Sequence, residues 1–419
     1  MELFLNSGEG VIKDEEVKSS LIKLLDDKNP KKVLILPPDY TRFHSNAGFI
    51  TNVLYHECVK RGIEVDIMPA LGTHEAITLE QKNEMFKDIP FEKFIYHNWR
   101  DDVVKIGEVP ASYIKEITDG LWEKPVDVEV NKIILDESYD LILSIGQVVP
   151  HEVVGMANHA KNLFVGCGGK SMINSSHIIG AVYGMERMMG KDFTPVRKIF
   201  DYSFNKFLKD KPITFILTVT TNENGKINTH GLFISENRSG FEEAVKLSSE
   251  LNFTYVDKPI KKCVVYLDEK EFRSTWLGNK AIYRTRKAIA DNGELIILAP
   301  GITKFGEDKG VDQLIRKYGY VGRLNVLKLL NENDDLKDNT GVAAHLIHGS
   351  SDDRFKIYYA VKNISQEEIR NVNFIPLDFD ETIKKYDPAK LKEGINIVDG
   401  EEVYYISNPA LGLWMPKAK

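Results

Sequence analysis

Two histidines, an acid and an arginine follow short apolar segments in the N-terminal half of the chain. Asp39 and Arg42 come after the run KVLIL, and His74 comes after IEVDIM. His151 comes after a third run, LILSI. These runs are short, apolar and rich in β-branched residues, which is typical of buried strands. If the strands are parallel, their loops emerge at the carboxyl edge of one sheet, where open α/β folds bind ligands. Imidazole proton transfer could then act beside a carboxylate-binding guanidinium.

Each of these residues also has a common structural role when it is taken alone. An Asp in a Pro-Pro-Asp turn often caps the local backbone. A single Arg is often part of an ion pair, and a His after a strand is often a surface or capping residue. The joint occurrence of the four residues at neighbouring strand ends favours a functional site.

The glycine-rich segment Gly166-Cys-Gly-Gly-Lys-Ser171 resembles a nucleotide-binding P-loop, but it lacks a required residue. The motif needs a glycine five positions before Gly169, and the sequence has Phe164 there. The segment is interpreted as a glycine turn before a helix at 173–188, with a phosphate cradle at the helix start as the alternative.

The elements that would position these residues form a βα pattern. Strands are predicted at 32–36, 63–68, 93–97 and 141–145. A helix is predicted at 47–61, and Thr78 with Gln81 forms a capping box that opens another. This alternation predicts a mostly parallel sheet.

The pattern changes after a helical middle at about 173–209. Strands at 213–220 and 226–235 flank Asn224-Gly225, which favours a hairpin turn. A second α/β block follows, with strands at 264–267 and 294–299 around a helix at 278–291. The predicted fold is therefore two α/β domains, 1–256 and 257–419, with mostly parallel sheets, flanking helices and an active site in the interdomain cleft.

Composition favours a small-molecule partner. The net charge is −7 with dispersed Lys and Arg, which gives no footprint for nucleic acid or an anionic membrane. The N-terminus does not read as a secretory signal, and no apolar run is long enough to span a bilayer. The three cysteines form no CxxC pair. We expect a cytoplasmic protein, and the oligomeric state stays open.

The order of five motifs resembles the lactate racemase family, whose members carry a nickel-pincer nucleotide. The motifs are Asp39-x-Thr41-Arg42, Gly72-Thr73-His74, Pro150-His151-x-x-x-Gly155, Lys161-Asn-Leu-Phe-Val-Gly166 and Ser176-His177. The resemblance covers most of the first 190 residues, and it extends more loosely to the segment Trp276-Leu-Gly-Asn-Lys280.

The resemblance implies how the cofactor is held. Lys161 corresponds to the residue that forms a thioamide to the pyridinium ring, and His177 to the protein ligand of nickel, for which neutral imidazole is a suitable donor. Thr41 is expected to contact the cofactor as well. Lys170 is a rival attachment site, but it lies only seven residues from His177, whereas the family spacing of sixteen matches Lys161.

The resemblance also implies a reaction, inversion of the hydroxyl-bearing C2 of a 2-hydroxy acid through a planar 2-keto acid. His74 and His151 would act as the two acid-base residues. Arg42 and Lys280 would hold the substrate carboxylate, and Asp39 would orient Arg42 or a histidine.

Two departures from the family pattern concern the cofactor and two concern the substrate. The segment Ala157-Asn158-His159 replaces the usual Ser-Gly-Gly, and Val165 replaces Pro. Trp276 and Leu277 stand where lactate-specific members have Tyr and Gln. This predicts a larger substrate, such as the aldonate gluconate.

Three alternatives stay open at this point. The protein could be a lactate racemase proper, or a non-catalytic carrier of the nickel cofactor, which would need no acid-base pair. A zinc or phosphate enzyme is disfavoured because HxH, HExxH and CxxC clusters are absent from the sequence. Enzymes of cofactor biosynthesis are expected as transient partners.

Overall fold

The computed structural model describes residues 2–223, 226–410 and 412–417. The chain forms two compact units. The first contains residues 1–176 and 190–252, and the second contains residues 177–189 and 253–419. The predicted domain limit at 256 stays a prediction.

Among the described residues, the first unit contains ten strands and most of the first eight helices. The strands are β1 (Glu2–Asn6), β2 (Lys32–Leu36), β3 (Glu64–Ile67), β4 (Val103–Val109), β5 (Val126–Asn131), β6 (Leu141–Gln147), β7 (Pro150–His151), β8 (Gly155–Met156), β9 (Ile213–Glu223) and β10 (Lys226–Ser235). The helices are α1 (Asp14–Lys28), α2 (Ala47–Lys60), α3 (Leu79–Phe86), α4 (Ala111–Ile117), α5 (Lys170–Tyr183), α6 (Met185–Met188), α7 (Pro195–Ser203) and α8 (Ser239–Leu251). The limit between the units falls inside α5, and α6 belongs to the second unit.

The main sheet of the first unit has the strand order β1-β10-β9-β6-β2-β3. Strands β9, β6, β2 and β3 run parallel, whereas β1, β10 and β9 pair antiparallel. All seven residues of β6 are buried, as are four of the five in β2. Burial on both faces explains why these strands are continuous apolar runs in the sequence.

Several sequence predictions are confirmed in this unit. The strand at 32–36 has the predicted bounds, and the helix predicted at 47–61 spans Ala47–Lys60. Thr78 and Gln81 form both hydrogen bonds of the capping box at the start of α3. Strands β9 and β10 pair as predicted, and the Asn224-Gly225 turn lies outside the described residues.

The predicted strand at 93–97 is wrong. The segment begins with a 3-10 turn at Phe91–Lys93 and makes only one bridge to β3, between Phe94 and Ile67. The turn follows Pro90, and the N–H of Phe94 bonds back to the carbonyl of Phe91. The N–H of Phe94 is therefore used locally, whereas the N–H of Ile95 donates to the Ile67 carbonyl of β3 at 2.7 Å.

The second unit contains the remaining strands and helices. The strands are β11 (Phe253–Val256), β12 (Ile260–Tyr266), β13 (Ile289–Ala299), β14 (Lys356–Val361), β15 (Ile375–Leu377), β16 (Gly394–Val398), β17 (Glu401–Ile406) and β18 (Leu413–Pro416). The helices are α9 (Thr275–Gly278), α10 (Lys280–Thr285), α11 (Lys309–Tyr318), α12 (Arg323–Glu332), α13 (Asp334–Lys337), α14 (Thr340–His348), α15 (Gln366–Asn371) and α16 (Phe379–Lys385).

The second unit has its own six-stranded sheet in the order β15-β14-β13-β12-β17-β16. Only β16 runs antiparallel to its neighbour. The helix predicted at 278–291 is too long, because the helical segment ends at Thr285 and β13 begins at Ile289. Ile289 already pairs with Ile260, so its β-branched side chain belongs to the sheet.

The predicted fold class, two α/β domains with mostly parallel sheets and flanking helices, is confirmed. The predicted location of the active site in a cleft between the domains stays a prediction. No helix within 2–223, 226–410 and 412–417 is long and apolar enough to cross a membrane.

Candidate active site

The loops after β2 and β3 meet at the carboxyl edge of the first sheet. The N–H of Ala70 donates to the carbonyl of Pro37 at 2.8 Å, which extends the parallel pairing beyond the strands. The N–H of Gly72 donates to the carbonyl of Gly166 at 2.8 Å. The loop that contains Gly72-Thr73-His74 is thereby tied both to the β2 loop and to the segment after Lys161.

Asp39 and His74 form a hydrogen-bonded pair at this edge. The carboxylate Oδ2 of Asp39 contacts Nδ1 of His74, and Oδ1 accepts a hydrogen bond from the Thr41 hydroxyl at 2.6 Å. Asp39 is buried, whereas 54% of the His74 side chain is exposed. Burial raises the pKa of Asp39, but the hydrogen bonds and charge of His74, with Thr41 and Arg42, lower it below its usual value. The carboxylate is therefore ionised and can accept a hydrogen bond from Nδ1–H of His74.

His151 lies at the end of β7 in a different environment. Its side chain is buried, and the backbone N–H of Val153 donates to Nδ1 at 3.1 Å. Nδ1 also lies 4.0 Å from a carboxylate oxygen of Glu152, which is beyond hydrogen-bond length.

Arg42 stands in the 3-10 turn Tyr40–Ser45 that follows Asp39. Its backbone N–H donates to the carbonyl of Asp39 at 3.1 Å, and its side chain is half-buried. The charge of Arg42 lowers the pKa of both Asp39 and Lys161. The positive charge of the Arg42 guanidinium therefore influences the ionisation of both the Asp39–His74 pair and Lys161.

Lys161 precedes a π-helical turn, Asn162–Gly166, a conformation frequent at functional sites. The amide of Asn162 anchors this turn by donating to the Leu36 carbonyl at 3.1 Å and to the Ser144 hydroxyl at 3.0 Å. Burial, with the charge of Arg42, lowers the pKa of the Lys161 amine to about 8. The neutral, nucleophilic form of this amine is therefore more populated near neutral pH than in a free lysine.

The segment before Lys161 has an uncommon backbone. Asn158 and His159 both have left-handed φ angles, 70° and 55°. The His159 ring is buried among Phe204, Phe215 and Phe241, with its centroid 4.0 Å from that of Phe215. These contacts hold the turn that presents Lys161.

Arg197 supports the same turn, and the sequence analysis missed it. This fully buried guanidinium donates through Nη2 to the carbonyls of Met156 and Asn158, at 2.7 and 3.0 Å. Its charge contributes to the lowered pKa of Lys161. No motif marks Arg197, because its role depends on a carbonyl pair about forty residues away in sequence.

The glycine turn at 166–171 is not arranged as a phosphate cradle. The Glu129 carboxylate accepts a hydrogen bond from the N–H of Ser171 at 3.0 Å and so occupies the anion position at the start of α5. Lys170 is exposed at this helix start. The structure therefore favours the interpretation of this segment as a turn before a helix.

The other predicted site residues belong to the second unit. His177 lies on α5 and is half-buried. Trp276 and Leu277 lie on α9 and Lys280 on α10, in the segment between β12 and β13. The Lys280 amine lies 5.7 Å from the ring centroid of Phe272. The roles of all four residues stay predictions.

A buried chain of hydrogen bonds fixes the helix that carries Trp276. The Thr275 hydroxyl donates to the Phe305 carbonyl at 2.9 Å, so Tyr320, 2.9 Å away, must donate to Thr275. The Tyr320 oxygen can then accept from Nε2–H of His345 at 2.9 Å.

This orientation leaves Nδ1 of His345 to accept from the Tyr283 hydroxyl, also at 2.9 Å. The Trp276 ring stacks on His345 with a centroid distance of 4.2 Å. His345 therefore positions a predicted substrate-facing residue, although the sequence analysis did not single it out.

The first unit is thus an α/β domain whose sheet edge combines an acid-base pair, a guanidinium and an amine of lowered pKa. The sequence predicted Asp39, Thr41, Arg42, His74 and Lys161, and the structure links them through contacts or charge. Among the described residues, no group of three or more His, Cys, Asp or Glu could hold a metal.

Comparison with known proteins agrees with this description. Residues 12–189 match the model of the lactate racemase N-terminal domain. Over these residues the chain is similar to the lactate racemase family.

Solved structures show the same fold. A crystal structure of a Thermotoga maritima protein matches with a TM-score of 0.83 and 26% identity, over 99% of this chain and 100% of that one. The lactate racemase apoprotein of Thermoanaerobacterium thermosaccharolyticum matches with a TM-score of 0.71 and 16% identity, over 97% of this chain and 95% of that one. A search of curated proteins gives no match.

Proposed function

We propose that this protein is a racemase or epimerase that inverts C2 of a 2-hydroxy acid with a nickel-pincer nucleotide bound at Lys161. The observation that carries the proposal is the Asp39–His74 pair at the same sheet edge as Arg42 and the partly neutral Lys161 amine. The similarity of residues 12–189 to the lactate racemase N-terminal domain supports the class of reaction.

The residues present fit the cofactor. Covalent attachment requires a nucleophilic amine, and the lowered pKa of Lys161 provides one. His177 would supply a nitrogen donor, which suits nickel. When bound, the cofactor supplies reversible acceptance of hydride from C2.

The protein's own residues would handle the carboxylate and the hydroxyl proton. Arg42 and Lys280 would bind the carboxylate and fix the plane of the substrate. His74 would accept the hydroxyl proton on Nε2, and the ionised Asp39 would stabilise the resulting imidazolium. His151 would contact the same oxygen from another strand end. Loss of hydride and proton gives a planar 2-keto acid, and return of hydride to the opposite face inverts the centre.

The attachment site is tested by the mass of intact protein produced together with the cofactor-building enzymes. We expect an adduct that is lost in Lys161→Ala and kept in Lys170→Ala, a matched control at an exposed lysine. His177→Ala should keep the adduct and lose nickel, because it removes one donor and not the covalent bond. An adduct on Lys170 would contradict the assignment.

We further propose a substrate larger than lactate, such as an aldonate. Leu277 is a partly buried apolar residue on α9, at a position where lactate-specific relatives have a polar residue. The test is the ratio of kcat/KM for gluconate to that for lactate with loaded enzyme, which reports differential transition-state binding. A ratio above one supports the larger substrate, and a ratio below one indicates a lactate racemase proper.

A carrier function would leave the acid-base pair without a role. A cofactor carrier needs Lys161 and His177, whereas a buried carboxylate paired to an exposed imidazole is of use in proton transfer. Loss of stereochemical purity in any member of a panel of 2-hydroxy acids would exclude the carrier.

A further inference from the structure

We propose that His97 is a positioning residue for the candidate active site, because its buried ring holds the glycine turn that follows Lys161. The proposal rests on the proposed function of Lys161 as the attachment residue. His97 ends the segment 93–97, in which the N–H of Ile95 donates to the Ile67 carbonyl of β3 at 2.7 Å. The His97 side chain is fully buried, and it contacts a part of the chain that is far away in sequence.

Both ring nitrogens of His97 have a hydrogen-bond partner. Nε2 lies 3.2 Å from the Gly168 carbonyl, which can only accept, so this nitrogen carries the ring proton. Nδ1 lies 2.9 Å from Nδ2 of Asn131, at the end of β5, and accepts a hydrogen bond from that amide. The orientation of the amide is set by its oxygen, which accepts from the N–H of Ile133 at 3.1 Å. The ring therefore joins the end of β5 to the glycine turn.

Burial keeps this ring neutral near neutral pH. It lowers the pKa of His97 below the ordinary value for histidine, and the hydrogen bond to Gly168 and the charge of Asp102 oppose this effect only in part. A protonated ring would direct a second N–H at the amide group of Asn131, whereas the neutral ring satisfies both neighbours. A fully satisfied buried polar network favours a single arrangement of the groups that it contacts.

Gly168 packs directly against the turn that follows Lys161. A Cβ atom at Gly168 would lie 1.8 Å from the carbonyl oxygen of Phe164, so the two backbone segments touch without an intervening side chain. The N–H of Cys167 donates to the Asn162 carbonyl at 2.9 Å and closes the π-helical turn. A shift of Gly168 would therefore move the turn at whose start Lys161 stands.

The same turn holds the loop after β3. The Gly166 carbonyl accepts the hydrogen bond from the N–H of Gly72, and a Cβ atom at Gly72 would lie 3.3 Å from the carbonyl oxygen of Val165. The backbone of Gly72 is left-handed, with a φ angle of 58°. His97 therefore supports a segment that contacts both the Lys161 turn and the loop after β3.

Hydrogen exchange of the unloaded protein, measured by mass spectrometry of peptides, tests this support. Gln can donate from a position close to that of Nε2 in histidine, whereas Leu cannot donate. We expect His97→Leu to speed exchange about 10-fold or more in peptides that cover 70–74 and 162–168, and to leave the peptides of β2 and β6 unchanged. His97→Gln should restore most of the protection. The matched control His56→Leu, at an exposed histidine of α2, should change neither region.

Two results of the exchange experiment would overturn the proposal. One is faster exchange everywhere, including β2 and β6, which would mean that His97 only fills the core. The other is unchanged exchange at 162–168. If His97→Leu does not fold, His97→Asn takes its place, because its shorter side chain keeps a polar group beside Asn131 and loses the contact with Gly168.

The pKa of the Lys161 amine gives a second readout, which core filling alone would not move. It is obtained from the pH dependence of acylation of Lys161 by a small reagent, with the exposed Lys170 as internal reference. The pKa is about 8 in wild type. In His97→Leu it should rise toward the ordinary lysine value of about 10.4, because a loosened turn lets water reach the amine. In His97→Gln it should stay near the wild-type value, and an unchanged pKa in His97→Leu would contradict the positioning role.

A third arm uses the cofactor-loaded enzyme. His97→Leu should lower kcat/KM roughly 10- to 100-fold by misplacing the Lys161 turn, and His97→Gln should recover most of this loss. Undiminished kcat/KM in His97→Leu would overturn the positioning role and leave the proposed function intact. If wild type inverts no 2-hydroxy acid, the proposed function fails, whereas the exchange and acylation experiments still decide the role of His97.

Discussion

Replacing Lys161 with Met should stabilise the protein, and the effect should depend on pH. Burial and the charge of Arg42 lower the pKa of this amine to about 8. A free lysine has a pKa of about 10.4, and one unit corresponds to about 1.4 kcal/mol, so the protonated amine costs the fold about 3 kcal/mol. Met keeps an unbranched apolar stem of similar length and removes the charge.

The direction of this pH dependence follows from the number of protons that the folded and unfolded chains bind. A pKa lowered in the folded state means that the unfolded chain binds more protons, so the penalty is full below pH 8 and disappears as pH rises toward 10.4. We expect Lys161→Met to raise the free energy of unfolding by up to about 3 kcal/mol at pH 7 and by about 1 kcal/mol at pH 9.5. Part of the side chain is exposed, so the pH 7 figure is an upper bound.

Urea unfolding at the two pH values measures this difference. The matched control is Lys170→Met, an exposed lysine nine residues away, which should change stability by less than about 0.5 kcal/mol at either pH. A Lys161→Met variant that is less stable than wild type, or equally stabilised at pH 7 and pH 9.5, would refute the reasoning. Confirmation would mean that the amine is retained at a cost to stability, as expected of a functional residue.

Three further predictions concern the acid-base pair and the Trp276 support. His74→Ala should lower kcat/KM of loaded enzyme roughly 10²- to 10⁴-fold, and undiminished kcat/KM would remove His74 from the mechanism. The pKa of Asp39 is lowered in the folded protein, so its ionised carboxylate stabilises the fold at pH values above the pKa of Asp39 in the unfolded chain. This stabilisation is lost as the pH falls through the pKa of Asp39 in the folded protein. Wild type should therefore lose more free energy of unfolding than Asp39→Asn between pH 6 and pH 3, and equal losses would contradict this. Tyr320→Phe leaves the buried N–H of His345 without its acceptor and should cost about 1–3 kcal/mol in urea unfolding, whereas Tyr255→Phe, at an exposed ring, should be neutral.

The sequence predicted the elements whose pattern is set locally or by complete burial. Strands β2 and β6 are buried on both faces, so their residues are uniformly apolar and recognisable. The capping box of α3 is contained within four residues. The segment 93–97 has the same β-rich composition, but the turn at Phe91–Lys93 decides its structure. Composition alone could not detect that local competition.

The sequence identified the residues of the candidate site better than the surroundings of each side chain. It placed His74 and His151 at neighbouring strand ends, because strand order and parallel pairing bring such loops to one edge. It treated the two rings as equivalent. The difference between them depends on a carboxylate thirty-five residues from His74 and on one backbone N–H beside His151. Asp39 was predicted to orient Arg42 or a histidine, whereas the type and spacing of the histidines do not indicate the Val153 N–H.

The departure from Ser-Gly-Gly before Lys161 is explained by the way the turn is held. Asn158 and His159 both adopt left-handed backbone angles, where glycine is ordinarily favoured because it has no Cβ. Asn is among the residues that tolerate this conformation, and its Oδ1 accepts the N–H of His159 at 2.8 Å. The His159 ring packs among three phenylalanines, and these contacts fix the side chain that its backbone presents. Both side chains are buried, so the substitutions fill the interior rather than the surface around the lysine. The turn can therefore present Lys161 without glycine, and the added side chains restrict its motion.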